Sequence, residues 1–151
     1  MKERKKVLWV IGDSTLSSFN DKYYYPRYGY GTKLAAYLDD AVEVKNIALS
    51  GRSSKSYTTE PQYKELTGGM QKGDFLLIGF GHNDEKTEEA RFTSAQGDYK
   101  TAGSFAASLY DNYIVPAQKA GCQVILCTPI VRRTKTGEWN AQDLHVTQDF
   151  G

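Results

Sequence analysis

Three short stretches of this chain set chemistry-bearing side chains directly after apolar runs: Gly12-Asp13-Ser14-Thr15-Leu16, Ser50-Gly51-Arg52-Ser53 and Gly81-His82-Asn83-Asp84. A serine two residues past a strand end, with a glycine to allow a tight turn, holds its hydroxyl at the top of a sheet, where it can act as a nucleophile. Asp13 and Ser14 are also ordinary helix or turn caps. Gly51 lets a backbone N–H come close to a ligand, and the Ser-Arg-Ser run after it suits the start of a helix, which favours an anion. Asn83 carries a side-chain amide that can donate to a developing oxyanion, although an Asn-Asp pair is equally a turn former. Each stretch is ambiguous alone; three of them after three successive apolar runs are harder to explain as turns.

The elements that position them follow from the apolar pattern. Four runs read as strands: 6–12 (KVLWVIG), 42–48 (VEVKNIA), 74–81 (DFLLIGFG) and 122–130 (CQVILCTPI). Two are almost continuously apolar, as strands buried on both faces of a parallel sheet are. Between them, Tyr30, Leu34 and Leu38 recur at i, i+4, i+8, as do Phe105, Leu109 and Tyr113. Both patterns predict helices, the second kinked or shortened by Pro116 and stopped at Gly121. Strand and helix alternating in this rhythm predict an α/β fold with a doubly wound sheet, a single domain over residues 1–151. In such a sheet a ligand sits beyond the carboxyl ends of the strands, where the three stretches lie.

Composition narrows the function classes. Nineteen basic and eighteen acidic residues leave a net charge of +1, with signs mixed except at Lys2–Lys6, so no nucleic-acid footprint is expected. No stretch approaches a membrane span or a secretory leader, which predicts a cytoplasmic chain, or a secreted one if a leader has been removed. Cys122 and Cys127 lie five positions apart in one strand and point to opposite faces, so both are expected as buried thiols without metal or redox work. Neither a P-loop nor a dinucleotide-binding glycine pattern occurs, and no cofactor or metal is expected.

The stretches GDSTL (12–16), NIALSGRSSKSY (46–57) and GFGHND (79–84) resemble the first three conserved blocks of the SGNH (GDSL) hydrolases. GYGTKLAAYL (29–38) and TPIVRR (128–133) make the likeness one to rhamnogalacturonan acetylesterases in particular. The resemblance covers nearly the whole chain. It implies a three-layer αβα sandwich on a flavodoxin-like parallel sheet, Ser14 as nucleophile, and an oxyanion hole made by the N–H groups of Ser14 and Gly51 and the side chain of Asn83. It also implies an acetylated oligo- or polysaccharide as partner, with His82 and Arg52 on the substrate side, while Asp13 shapes the turn. The family's general base is a histidine in an Asp-x-x-His block after a fifth strand. His145 has Gln142 three residues before it and does not match. The expectation is therefore that the chain lacks the last strand, its helix and the base, and that the fourth strand, left as an edge, either promotes self-association or is covered by residues 131–151 folding back over it. Two other readings stand beside this one. A non-catalytic glycan-binding domain would use the tyrosines of YYYPRYGYG (23–31), and a metallophosphoesterase would use the Gly-Asp and Gly-His-Asn-Asp stretches as metal motifs.

Overall fold

The computed structural model describes residues 4–19, 22–24 and 26–130. Four parallel strands form one sheet: β1 (Lys6–Gly12), β2 (Val42–Asn46), β3 (Phe75–Gly79) and β4 (Gln123–Leu126), in the order β2-β1-β3-β4. All four coincide with the apolar runs read as strands, each a residue or more shorter except β1. In the register, Leu8 faces both Val44 and Phe75, and Gly12 stands beside Gly79.

The period-two alternation of β1 decides the layers. Val7, Trp9 and Ile11 join one buried cluster, and Leu8 and Val10 join another on the opposite face. The first face is covered by α1 (Pro61–Gly69) through Leu66 and by a second helical layer through Tyr113 and Ala117. That layer is one continuous run made of α2 (Phe105–Leu109), a π turn (Tyr110–Ile114) and α3 (Val115–Ala120). Ser104 caps its start by accepting from the Ala107 N–H at 2.9 Å. The wider π turn sits just ahead of Pro116, where the missing N–H and the ring disturb regular α bonding. Gly121 ends the run in the left-handed region at φ 82°. The other face is covered by Leu16 with Tyr30 and Leu34.

One helical expectation changes, and one helix is new. Residues Tyr30–Tyr37 form a 3-10 helix, and Leu38 lies past its end and 40% exposed. Gly29 and Gly31 bring this segment so close to the chain at Leu16 that a Cβ would meet backbone atoms at 2.3 Å and 2.5 Å; two glycines at the start disfavour α geometry. The helix α1 has no counterpart among the sequence expectations. Its signals are Pro61 at the first turn and the Tyr63, Leu66, Met70 stripe.

Cys122 and Cys127 pack against opposite clusters, as their spacing requires, and both thiols are free; Cys127 is half-buried rather than buried. On β4, Ile125 and Leu126 are exposed, and among the described residues its outer edge has no strand partner. No helix among the described residues is long and apolar enough to cross a membrane.

Candidate active site

The three loops that follow β1, β2 and β3 are tied together by backbone bonds at the carboxyl ends of the strands. The Leu49 N–H donates to Gly12 at 3.0 Å and the Asp13 N–H donates to Gly79 at 3.3 Å. The carbonyl ends of three adjacent strands thus open onto one place, with β1 in the middle.

Asp13 builds the turn that carries Ser14. Its carbonyl accepts from the Leu16 and Ser17 N–H groups, and its Oδ1 accepts from the Thr15 N–H at 2.9 Å and the Thr15 hydroxyl at 2.7 Å. Asp13 is buried and its carboxylate is engaged inside its own turn, which is a positioning task. Ser14, half-buried, has no hydrogen-bond partner among the described residues for either its N–H or its hydroxyl. Gly51 sits at φ 80°, a conformation that a side chain would strain, and its N–H is likewise without an acceptor among the described residues.

Asn83 is 7% exposed. Its Nδ2 donates to the Arg52 carbonyl at 3.0 Å, and its Oδ1 faces Arg91 Nη1 at 3.5 Å. Those contacts fix which way the amide points. A primary amide has two hydrogens, so one remains after the bond to Arg52. The loop of Gly51 thereby orients the donor of the loop after β3. Phe80, one residue past β3, anchors that loop by ring contacts with Tyr57 and Tyr113, both centroids at 5.4 Å.

The two residues expected on the substrate side have other partners. His82 is buried, and its Nε2 donates to the Ile130 carbonyl at 2.6 Å, linking the end of β3 to the segment after β4. The Arg52 guanidinium donates to Glu60 at 2.8 Å and to the Ser50 carbonyl at 3.0 Å. It is Arg52's backbone, through its bond to Asn83, that serves the site. His145, Arg132 and Arg133 lie outside the described residues.

Sequence reasoning passed over the polar group behind these loops. Asp84 is buried and accepts from Ser54 and Thr93, and Ser54 in turn contacts Ser108. Burial pushes the Asp84 carboxyl above the usual carboxylate range, against the pull of hydrogen bonds from Ser54 and Thr93, with Asp13 adding to the rise. A cavity of about 240 Å³, lined in part by Gly81, Phe92, Phe105 and Pro129, lies against the same loop.

A parallel sheet in this strand order, with its polar loops gathered at the carboxyl ends, is the architecture of a GDSL-type hydrolase domain. The chain belongs to the family described as GDSL-like Lipase/Acylhydrolase, which matches residues 8–147. That membership leaves the metallophosphoesterase reading without support. The probable rhamnogalacturonan acetylesterase YesY of Bacillus subtilis (strain 168) is 29% identical over 126 residues, 83% of this chain and 54% of that protein. Rhamnogalacturonan acetylesterase RhgT of the same organism is 28% identical over 133 residues, 88% of this chain and 53% of that protein. The chain spans about half the length of these curated relatives. Among solved structures, protein YxiM of Bacillus subtilis superposes with a TM-score of 0.72 at 22% identity, over 94% of this chain and 37% of that one. Est24, a carbohydrate acetylesterase from Sinorhizobium meliloti, gives 0.52 at 20% identity, over 87% and 68%. At these identities the structures speak for the fold.

Proposed function

We propose that this chain carries the nucleophile and oxyanion hole of a serine esterase that removes O-acetyl groups from a carbohydrate, with pectic rhamnogalacturonan as the preferred backbone. What supports the reading is that Ser14, Gly51 and Asn83 stand in the loops that follow three adjacent strands, at their carboxyl ends, with two N–H groups and one amide hydrogen left for a ligand. The substrate class rests on the names of the relatives. In this mechanism the Ser14 oxygen attacks the acetyl carbonyl carbon and its proton passes to a general base. The carbonyl oxygen takes the negative charge and is held by the Ser14 N–H, the Gly51 N–H and Asn83 Nδ2–H. Collapse expels the sugar alkoxide, which takes up the proton, and water then releases acetate from Ser14. No residue of this chain is assigned as the base.

Acetate release tests the reading, measured on acetylated rhamnogalacturonan and on acetylated xylan, with the 151-residue chain and with the product of any longer reading frame that contains it. Faster release from rhamnogalacturonan, lost in Ser14→Ala, is the expected result. Undiminished release by the Ser14→Ala protein sinks the nucleophile assignment. For the 151 residues alone, p-nitrophenyl acetate hydrolysis is expected to be slight, because no Asp-x-x-His block of the kind the family uses as base occurs in them. Robust hydrolysis that depends on both Ser14 and His145 would show that the chain holds its own base.

A second reading, glycan binding without turnover, is favoured by the aromatic loop after β1. Tyr23 and Tyr28 are 85% and 59% exposed, and Arg27 and Lys33 lie over the rings of Tyr24 and Tyr28. Retention of the polysaccharide with no Ser14-dependent acetate release from any form of the protein would select it.

A further inference from the structure

Behind two of the oxyanion donors, those of Gly51 and Asn83, a buried carboxylate gathers hydrogen bonds from two separate parts of the chain. Asp84 is 3% exposed. The Ser54 N–H lies 3.1 Å from its Oδ1 and 3.0 Å from its Oδ2, the Ser54 hydroxyl donates to Oδ1, and the Thr93 hydroxyl donates to Oδ1 at 2.9 Å. With its one hydroxyl proton given to Asp84, Ser54 receives the proton of Ser108 across their 2.7 Å contact. Asn112 donates in turn to Ser108 at 3.4 Å. The donors therefore run one way, from the helical layer toward the carboxylate. On its other side Ser54 is held by the Tyr113 hydroxyl, which donates to the Ser54 carbonyl.

The sequence positions give this arrangement its meaning. Ser54 lies three residues after Gly51, and Asp84 directly follows Asn83. We infer that Asp84 is a positioning residue: its ionised carboxylate locks the loop of Gly51 to the loop of Asn83 and so sets the spacing of the two donors. Asn83 Nδ2 to the Arg52 carbonyl is the second tie between the same loops, and Thr93, whose N–H also donates to the Asp84 carbonyl at 2.9 Å, braces the far end of the second loop. A neutral carboxyl must donate its own proton, yet the polar atoms around it are already donors. On Oδ2 that proton would point at the Ser54 N–H, which cannot reverse, and on Oδ1 a hydroxyl would have to turn round; either way a tie to Ser54 or Thr93 is lost.

The charged groups around Asp84 are few. Asp13 faces it from the nucleophile turn and Tyr113 from the π turn. Arg91, on its own loop, is taken up by Glu88 and Asn83, and among the described residues no Lys or Arg pairs with it. Burial thus holds its titration above the ordinary aspartate midpoint of about 3.9. A raised folded-state midpoint means that the neutral form is favoured by folding, and an amide keeps one oxygen to accept the Oδ1 bonds, so Asp84→Asn is not expected to lower stability at neutral pH. Loss of position without loss of stability separates this role from a merely structural one.

The inference rests on reading Gly51 and Asn83 as oxyanion donors, and its test does not need turnover. In the isotopically labelled 151-residue chain, the Asp84 carboxyl carbon, the Gly51 N–H and the Asn83 side-chain N–H groups are followed by NMR from about pH 8 downward. The expected result is one shared midpoint above about 3.9 for all three signals. In Asp84→Asn the Gly51 and Asn83 signals are expected to lose that transition while the thermal midpoint holds. Gly51 and Asn83 signals that stay still through the Asp84 transition, or that keep titrating in Asp84→Asn, overturn the inference. Failure of the acetate assay with a shared midpoint intact would instead count against the esterase reading.

Discussion

Replacing Asn83 by alanine is expected to lower kcat for deacetylation by about 10²–10³ while KM moves much less, because the missing N–H acts on charge that develops only in the transition state. Steady-state kinetics on an acetylated substrate make the measurement. Asn83→Asp is the sharper control. It keeps the shape and a polar contact with Arg91, but sets a carboxylate where an N–H pointed, against both the Arg52 carbonyl and the oxyanion. Activity is expected to fall at least as far. An effect confined to KM would assign Asn83 to substrate binding and remove it from the oxyanion hole.

At the opposite end of the sheet, Asp74→Ala is expected to cost about 3 kcal/mol or more of folding stability without changing the chemistry. Asp74 is fully buried just before β3, and its carboxylate accepts from the Val7 N–H at 3.0 Å, the Gln71 N–H at 3.0 Å and the Trp9 indole at 3.2 Å. Arg4 grips it through both terminal nitrogens at 2.7–2.9 Å. Alanine strands three donors, each worth about 1–3 kcal/mol when left unsatisfied in the interior. The same carboxylate imposes an acid limit. Burial raises its pKa, but the hydrogen bonds from Val7, Gln71 and Trp9 and the Arg4 charge outweigh it, and the net direction is down. Its contribution is therefore complete above the unfolded value of about 3.9 and is lost as pH falls through the lowered folded value. Urea midpoints measured against pH should drop in acid for the parent chain and flatten in Asp74→Asn. Equal midpoints for parent and alanine variant would show that the Asp74 cluster contributes nothing.

These two ends of the sheet differ in how far they can be read from sequence. The strands were legible because a buried parallel strand needs a nearly unbroken apolar run, and Leu76-Leu77-Ile78 leaves little else to be. The three loop stretches were legible because each follows such a run. The segment 30–37 was legible as helical but not as 3-10, since spacings of three and four residues suit both and the close approach of Gly29 and Gly31 to Leu16 exists only in three dimensions. The helix α1 escaped because its stripe is only three apolar residues amid polar neighbours. The Asp84 network escaped for a different reason. Its members, at 54, 84, 93, 108 and 113, are distant in sequence and individually look like loop or helix-surface residues. His82 and Arg52 illustrate the converse: polar residues inside a recognised motif attract a ligand role, while the fold gives their side chains to Ile130, Glu60 and Ser50.

Leu16, the second residue after Ser14, fits into space left by four glycines. A Cβ at Gly79 would meet the Leu16 Cδ1 at 2.4 Å, and one at Gly12 would meet it at 2.8 Å and the Gly79 carbonyl oxygen at 2.4 Å; one at Gly29 or Gly31 would meet the Leu16 backbone at 2.3 Å or 2.5 Å. The identities of five positions are thus joined through one shared volume, but not equally. At Gly79 the obstacle is a side chain, which a smaller residue at 16 can withdraw. At Gly12, Gly29 and Gly31 it includes backbone, which no substitution can shrink. In a mutational library the pair 16 and 79 therefore has room to drift together, whereas 12, 29 and 31 do not, and the depth at which the serine turn sits on the sheet is inherited as a unit.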